Sequence, residues 1–201
     1  MAYKSILTIL TNPDTAELAI TAAARLAQAQ DAHLDVLVLG VDRTQVGYSY
    51  IGTGAVLMQV ALDCAEADAR ALEAAAKVAL AEQSPDLRYS VEAVVTQLGA
   101  LTDVVASRAR FADLVVLPRP YGPGQGAEAE AVVEAALFEG KAPVLVLPEK
   151  GLGENTLPKR IIVAWNQSSE AMVATRQALP LLKGAAVGNV PGPSGSFGVW
   201  L

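Results

Sequence analysis

Short aliphatic runs alternate along this chain with alanine-rich stretches whose apolar residues recur at helical spacing. The first run, Ser5 to Leu10, is apolar at most positions, as expected of a strand that helices cover on both faces. The stretch that follows it begins with Asn12 and Pro13, a residue pair suited to the start of a helix. Such alternation is typical of β-α units that build a parallel sheet.

The alternation predicts an α/β domain with a doubly wound, five-stranded parallel sheet, and the simplest strand order is 3-2-1-4-5 because crossovers are right-handed. The strands are predicted at Ser5 to Leu10, Leu34 to Val41, Tyr89 to Thr96, Asp113 to Leu117 and Pro143 to Leu147. Helices are predicted after the first strand and at about Ala55 to Glu82, Leu98 to Arg110 and about Glu128 to Glu139.

The same pattern begins again after a polar linker at residues 149–158. Arg160 to Trp165 is strand-like, and Ala171 to Lys183 has the spacing of a helix. The sequence therefore predicts one complete domain at 1–148 and the first β-α unit of a second, incomplete domain at 159–183. An irregular tail is predicted at 184–201, where the composition changes to glycine and proline without charge; truncation, a shifted reading frame and a flexible terminus all fit this change.

Composition excludes several classes of protein. Hydrophobic residues make up 52 % and charged residues 18 %, which excludes intrinsic disorder. Charge, glycine or proline interrupts every long apolar run, and the first residues lack a signal-peptide pattern, so we expect a cytoplasmic protein without membrane spans. The net charge of −6 argues against a nucleic-acid partner.

Cysteine and histidine each occur once, so no metal site of the usual ligand types is predicted. Cys64 falls on the apolar stripe of its predicted helix, which indicates a core position. His33 has no nucleophile near it in sequence, and we assign it no catalytic role.

Three segments carry a resemblance to a known family: ADLVVLP, APVLVLP, and above all RIIVAWNQSSEAMVATRQALPLL. With the order of elements, they resemble the universal stress protein family, and in particular its bacterial tandem-domain members. The resemblance implies a fold like that of the adenine nucleotide α-hydrolases and dimerisation through the fifth strand. In some members it also implies an ATP site, formed by an acid after the first strand, backbone at the end of the second, and a glycine loop before the fourth helix.

On this chain the resemblance places a degenerate nucleotide site at Thr11, Asn12, Val41, Gly122, Gly124, Gly126, Glu130 and Ala131. Neither Thr11 nor Asn12 is the expected acid; Asp14 is the nearest carboxylate, and a role at the start of the helix explains it as well. Glu130 and Ala131 stand where the family has Gly and Ser. Because Glu128 and Glu130 already complement the dipole of their predicted helix, an internal acid occupies the place of the anion. ATP is therefore disfavoured, and no other cofactor is expected.

These observations predict a non-enzymatic stress-response protein, a ligand-binding or interaction module with a degenerate ATP-binding loop. The alternative is an ATP-binding member of the family that acts as a nucleotide-dependent switch or a weak ATP hydrolase. An apolar edge strand must be covered or paired, so we also predict a homodimer through Pro143 to Leu147.

Overall fold

The computed structural model describes residues 2–43, 54–122, 125–152, 160–185, 188–191 and 197–200. Within them a five-stranded parallel sheet has the order β3-β2-β1-β4-β5, which confirms the predicted topology. Its strands are β1 (Ser5–Leu10), β2 (His33–Asp42), β3 (Arg88–Gln97), β4 (Leu114–Leu117) and β5 (Val144–Val146). The predicted strands match these within one residue at each end.

Helices cover both faces of the sheet. They are α1 (Pro13–Gln30), α2 (Gly54–Ala81), α3 (Leu101–Ala109), which follows a 3-10 turn, and α4 (Ala127–Glu134), which continues as a π-helical turn to Glu139. On one face Ile6 and Leu10 of β1 pack with α1 and α2. On the other face Leu7 and Ile9 of the same strand pack with α3 and α4. The near-continuous apolar run of β1 is thus explained by burial on both sides.

Helix α2 packs directly on β2 at Gly40. A Cβ there would lie 2.8 Å from the Cβ of Ala69 and closer still to the carbonyl oxygen of Ala65, so only glycine fits. This contact turns Ala65, Ala69 and Leu72 inward.

The predicted apolar stripe of α2 was wrong at most positions, since only Leu72 and Ala79 of its members are buried; the stripe comprised Leu57, Val60, Ala61, Cys64, Ala71, Leu72, Ala75, Val78 and Ala79. Cys64 is exposed, not buried in the core. Leu57 and Val60, two further members of the predicted stripe, are 59 % and 53 % exposed. An alanine-rich helix is apolar on most sides, so its periodicity does not identify the buried face.

The second β-α unit forms its helical part but not a strand of the sheet. Between Arg160 and Trp165 the backbone forms a bridge at Ile162 alone, in contrast to the predicted strand. The helix divides into α5 (Ser169–Gln177) and α6 (Leu179–Leu182), because Pro180 has no N–H to continue the hydrogen bonds. Leu182 is buried, and the Tyr3 hydroxyl donates to the Gln177 carbonyl oxygen at 2.8 Å, so this unit packs on the first domain of its own chain.

The two β-α units share one local turn. In the first, the Asn12 side-chain oxygen accepts from the backbone N–H of Asp14 at 2.9 Å. In the second, the Asn166 oxygen accepts from the N–H of Ser168 at 3.0 Å. Both asparagines thus form the same short turn before a helix, an arrangement that Asn side chains commonly make.

The described residues of two later segments add contacts that the sequence did not predict. Leu152, in the predicted linker, packs against the hydrophobic core that the sheet forms with α1 and α2. The tail contains an antiparallel pair, β6 (Gly188–Pro191) and β7 (Phe197–Trp200), so it is not irregular throughout. In the sequence, a Gly-, Pro- and Ser-rich stretch separates two short runs that contain apolar residues, which is a pattern typical of a hairpin. The prediction of an irregular tail considered only the overall composition of the segment.

Candidate functional site

A cavity of about 510 Å³ lies beyond the carboxyl ends of β1 and β2. Strand β1 pairs with β2 on one side and with β4 on the other, so the order of strands reverses at this point. Open α/β sheets bind their ligands at such a switch point. The described lining is Thr11, Asn12, Pro13, Leu39, Val41, Arg43, Asp68, Ala71, Leu72, Gln125, Gly126 and Glu128.

Four of the residues predicted for the site meet in this cavity: Thr11, Asn12, Val41 and Gly126. The Asn12 side-chain oxygen accepts from the N–H of Asp14, and Asn12 thereby caps α1. Val41 is buried at the end of β2, beside the cavity. Helix capping therefore explains Asn12, and core packing explains Val41, without any ligand. Both residues nevertheless form part of the cavity wall.

Of the other four predicted residues, the three that the structure describes do not line the cavity. Gly124 lies outside the described residues. Gly122 has a φ of +123°, a conformation that favours glycine, and it lies against the guanidinium of Arg119. Glu130 is exposed, and Ala131 packs with the core between the sheet and α3 and α4.

The buried acid in the cavity is Glu128, the second residue of α4. Its side chain is 7 % exposed and pairs with the guanidinium of Arg43, which follows β2. The Glu128 carboxylate also folds back over Gly126, where any Cβ would overlap its Oε2 atom. An internal ion pair therefore occupies the N-terminus of α4, the kind of position at which proteins bind phosphate.

Arg43 has no counterpart among the residues predicted for the site, and Glu128 was predicted only as one of two acids near the helix dipole. The family resemblance placed the position of the phosphate-binding Gly at Glu130, which lies on the solvent side of α4. Helical spacing could have identified Glu128 as the buried acid, because Glu128 lies four residues before the buried Val132 and so shares its face.

The charge state of Glu128 follows from its surroundings. Burial raises the pKa of Glu128. The hydrogen bond from Arg43, the bond from its own backbone N–H and the charge of Arg43 together lower the pKa of Glu128 by more than burial raises it, so the net pKa lies below its ordinary value. The group is therefore ionised near neutral pH.

Replacing Arg43 with glutamine is expected to raise the pKa of Glu128, because burial then acts with less compensation. In the wild type the folded-state pKa lies below the unfolded value. Ionised Glu128 therefore stabilises the fold above about pH 4.5, and this contribution is lost as the pH falls through the lowered pKa. A carboxyl-carbon NMR titration of Glu128 measures the change. An unchanged pKa in R43Q would contradict the assigned pairing.

Other candidate chemistry is remote from this cavity. His33 lies at the opposite, amino-terminal end of β2, with its Nε2 atom 3.4 Å from Asp35 Oδ1. Among the described residues, no three His, Cys, Asp or Glu side chains lie close enough together to hold a metal ion. In that same part of the chain, no helix combines the length and the apolar character that crossing a membrane requires.

Solved structures show which fold this is. The universal stress protein UspA from Lactobacillus plantarum matches with a TM-score of 0.50 at 20 % identity, over 74 % of this chain and 99 % of that chain. A universal stress protein in complex with cAMP gives 0.43 at 20 % identity, over 73 % and 98 % of the two chains. The universal stress protein from Archaeoglobus fulgidus in complex with dAMP gives 0.37 at 16 % identity, over 73 % and 98 %.

Comparison by sequence adds no assignment, since no protein-family model and no curated protein matches this chain. The structural match to UspA from Lactobacillus plantarum, together with the observed strand order, settles the architecture. This chain has the α/β fold of the universal stress proteins.

Proposed function

We propose that the protein is a cytoplasmic, non-enzymatic module of a stress response, which binds a small ligand in the cavity at the switch point and does not bind ATP. The observation that carries this proposal is the buried Glu128, held by Arg43 at the N-terminus of α4. A triphosphate placed there would meet a carboxylate instead of free backbone N–H groups.

The volume and the lining of the cavity support a binding role. About 510 Å³ lies within the range of small-molecule sites, and Leu39, Val41 and Leu72 give it an apolar wall. The stress-response part of the proposal rests on the shared fold alone and is an analogy.

Isothermal calorimetry with ATP and Mg²⁺ tests the proposal directly. We expect no saturable binding up to millimolar ATP, because Asn12 caps the N-terminus of α1 and the Glu128 carboxylate lies at the N-terminus of α4. A dissociation constant below about 100 μM, which corresponds to roughly −5.5 kcal/mol, would contradict it.

A second candidate is the adenine-nucleotide switch or weak ATP hydrolase. It is favoured by one observation, the convergence of Thr11, Asn12, Val41 and Gly126 on a single cavity. It requires Glu128 to leave the N-terminus of α4 when the nucleotide binds. Nucleotide that copurifies with the protein, detected as excess absorbance near 260 nm after denaturation, would favour this candidate.

We also propose that the protein forms a homodimer through β5. In the described sheet β5 pairs with β4 alone, and its outer edge is open. Val146 is 42 % exposed, and Phe138, shortly before the strand, is 69 % exposed. In a two-fold dimer, β5 of a second copy would pair with the open edge of this β5, and the exposed Val146 and Phe138 would be covered.

Replacing Val146 with lysine is expected to convert this dimer to a monomer, because a two-fold interface would bring the new charges together. Sedimentation should give twice the chain mass of 20.8 kDa for the wild type and one chain mass for V146K. Phe111→Lys, at a Phe that is 80 % exposed elsewhere, serves as the control and should stay dimeric. A monomeric wild type, or a V146K dimer of undiminished stability, would refute the proposed interface.

A further inference from the structure

We propose that the ligand of the switch-point cavity is an organic monocation, a compact molecule with an apolar or aromatic body and one ammonium group. This inference rests on the proposed function, since it names the chemical class of ligand for the same cavity. It follows from charge balance: Arg43 and Glu128 of the cavity neutralise each other, whereas the carboxylate of Asp68 is not neutralised.

The positive features of the cavity are each compensated from within the chain. The guanidinium of Arg43 pairs with Glu128. The N-terminus of α1 carries Asp14 in its first turn, and that of α4 carries Glu128 and Glu130. Acids at these positions complement the helix dipoles, so neither helix offers an uncompensated positive end to an anion.

One negative charge is left over. Asp68 of α2 lines the cavity, is exposed, and makes no hydrogen bond or ion pair with any residue that the structure describes. Segment 44–53, which follows Arg43 in sequence and lies outside the described residues, contains neither Lys nor Arg. With Arg43 and Glu128 cancelling each other, the cavity keeps a net charge of about −1, on a chain whose overall charge of −6 also attracts cations.

The rest of the lining suits the remainder of such a ligand. Leu39, Val41 and Leu72 form an apolar surface that a ring or an alkyl chain can cover. Thr11 and Gln125 supply neutral polar groups beside it. A ligand with a carboxylate or phosphate would instead meet Asp68 and the ionised Glu128 without a free cation to pair with.

Two probes of similar shape and opposite charge test this inference: tryptamine, a cation, and indole-3-acetate, an anion. Each is titrated into the full chain while the backbone amide signals of Leu39, Val41 and Ala71 are followed by NMR. We expect tryptamine to bind at least tenfold more tightly than indole-3-acetate. Equal affinities, tighter binding of the anion, or no saturable shift with tryptamine would overturn the inference.

Variants assign the preference to a residue. Asp68→Asn should reduce the ratio of the two affinities to less than about threefold, and Asp68→Lys should reverse it. Asp63→Asn, an identical charge change on the same helix outside the cavity lining, should leave it unchanged. A preference that survives D68N and D68K would also overturn the inference. Failure here with no ATP binding would leave the proposed function standing, whereas ATP binding at α4 would remove the function itself.

Discussion

Replacing Glu128 with glutamine is expected to raise the affinity for ATP about a hundredfold. Glutamine keeps the size of the side chain but removes the charge at the N-terminus of α4, and it releases Arg43 from its pair. A carboxylate and a phosphate charge about 5 Å apart repel by roughly 3 kcal/mol at an effective dielectric of 20, which is the origin of the estimate. Calorimetry at equal ionic strength should show saturable ATP binding by E128Q and none by the wild type up to millimolar ATP.

Glu130→Gln is the matched control for that experiment. It removes the same charge from the same helix, but Glu130 is exposed and lies outside the cavity lining. We expect a gain of less than about fivefold, since solvent screens an exposed charge. Equal gains in E130Q and E128Q, or no gain in E128Q, would show that the buried pair does not exclude the nucleotide.

The double change of Glu130 to Gly and Ala131 to Ser follows from the family pattern alone. It should do little by itself, because Glu128 stays in place. Ala131 packs with the core on the α3 and α4 side, so its replacement does not open the cavity. Combined with Glu128→Gln, the double change would provide a phosphate loop at an uncharged helix N-terminus.

Replacing Gly40 with alanine is expected to lower the free energy of unfolding by roughly 2–3 kcal/mol, the upper part of the range for overpacked cores. The added Cβ would press on the carbonyl of Ala65 and the Cβ of Ala69, and a backbone atom cannot rotate away. For a chain of this size the melting temperature should fall by roughly 5–10 °C. Thermal unfolding followed by circular dichroism measures the shift.

Gly99→Ala is the control for the packing argument, since nothing lies within 4 Å of a Cβ at that position. It should leave the melting temperature unchanged or raise it slightly, because alanine reduces the entropy of the unfolded chain. If G40A melted within about 2 °C of the wild type, the direct contact between α2 and β2 would be disproved.

Much of the fold could be predicted because burial leaves a strong mark on the sequence. Strand β1 is apolar on both sides of its pleat, and Asn12 with Pro13 marks the start of α1. Right-handed crossovers then restrict the order of strands to very few choices. These signals are local or follow from chirality, so they survive without knowledge of tertiary contacts.

The buried face of α2 and the acid of the cavity were harder to predict because each depends on a tertiary contact. Gly40 selects the face of α2, and nothing in the alanine-rich helix itself does so. Glu128 gains its role from Arg43, which is 85 residues away in sequence. The segment from Arg160 has the composition of a strand, but a strand also needs hydrogen-bonded neighbours, and within 160–165 only Ile162 forms a bridge.

The central claim is that the carboxylate of Glu128 takes the place of a ligand phosphate at the N-terminus of α4. The most direct measurement follows the backbone amide signals of Ala127, Glu128 and Ala129 by NMR while ATP with Mg²⁺ is added to the wild-type chain. We predict no saturable shift of these three signals up to millimolar nucleotide. Saturation at micromolar ATP would place a phosphate on the helix and contradict the claim.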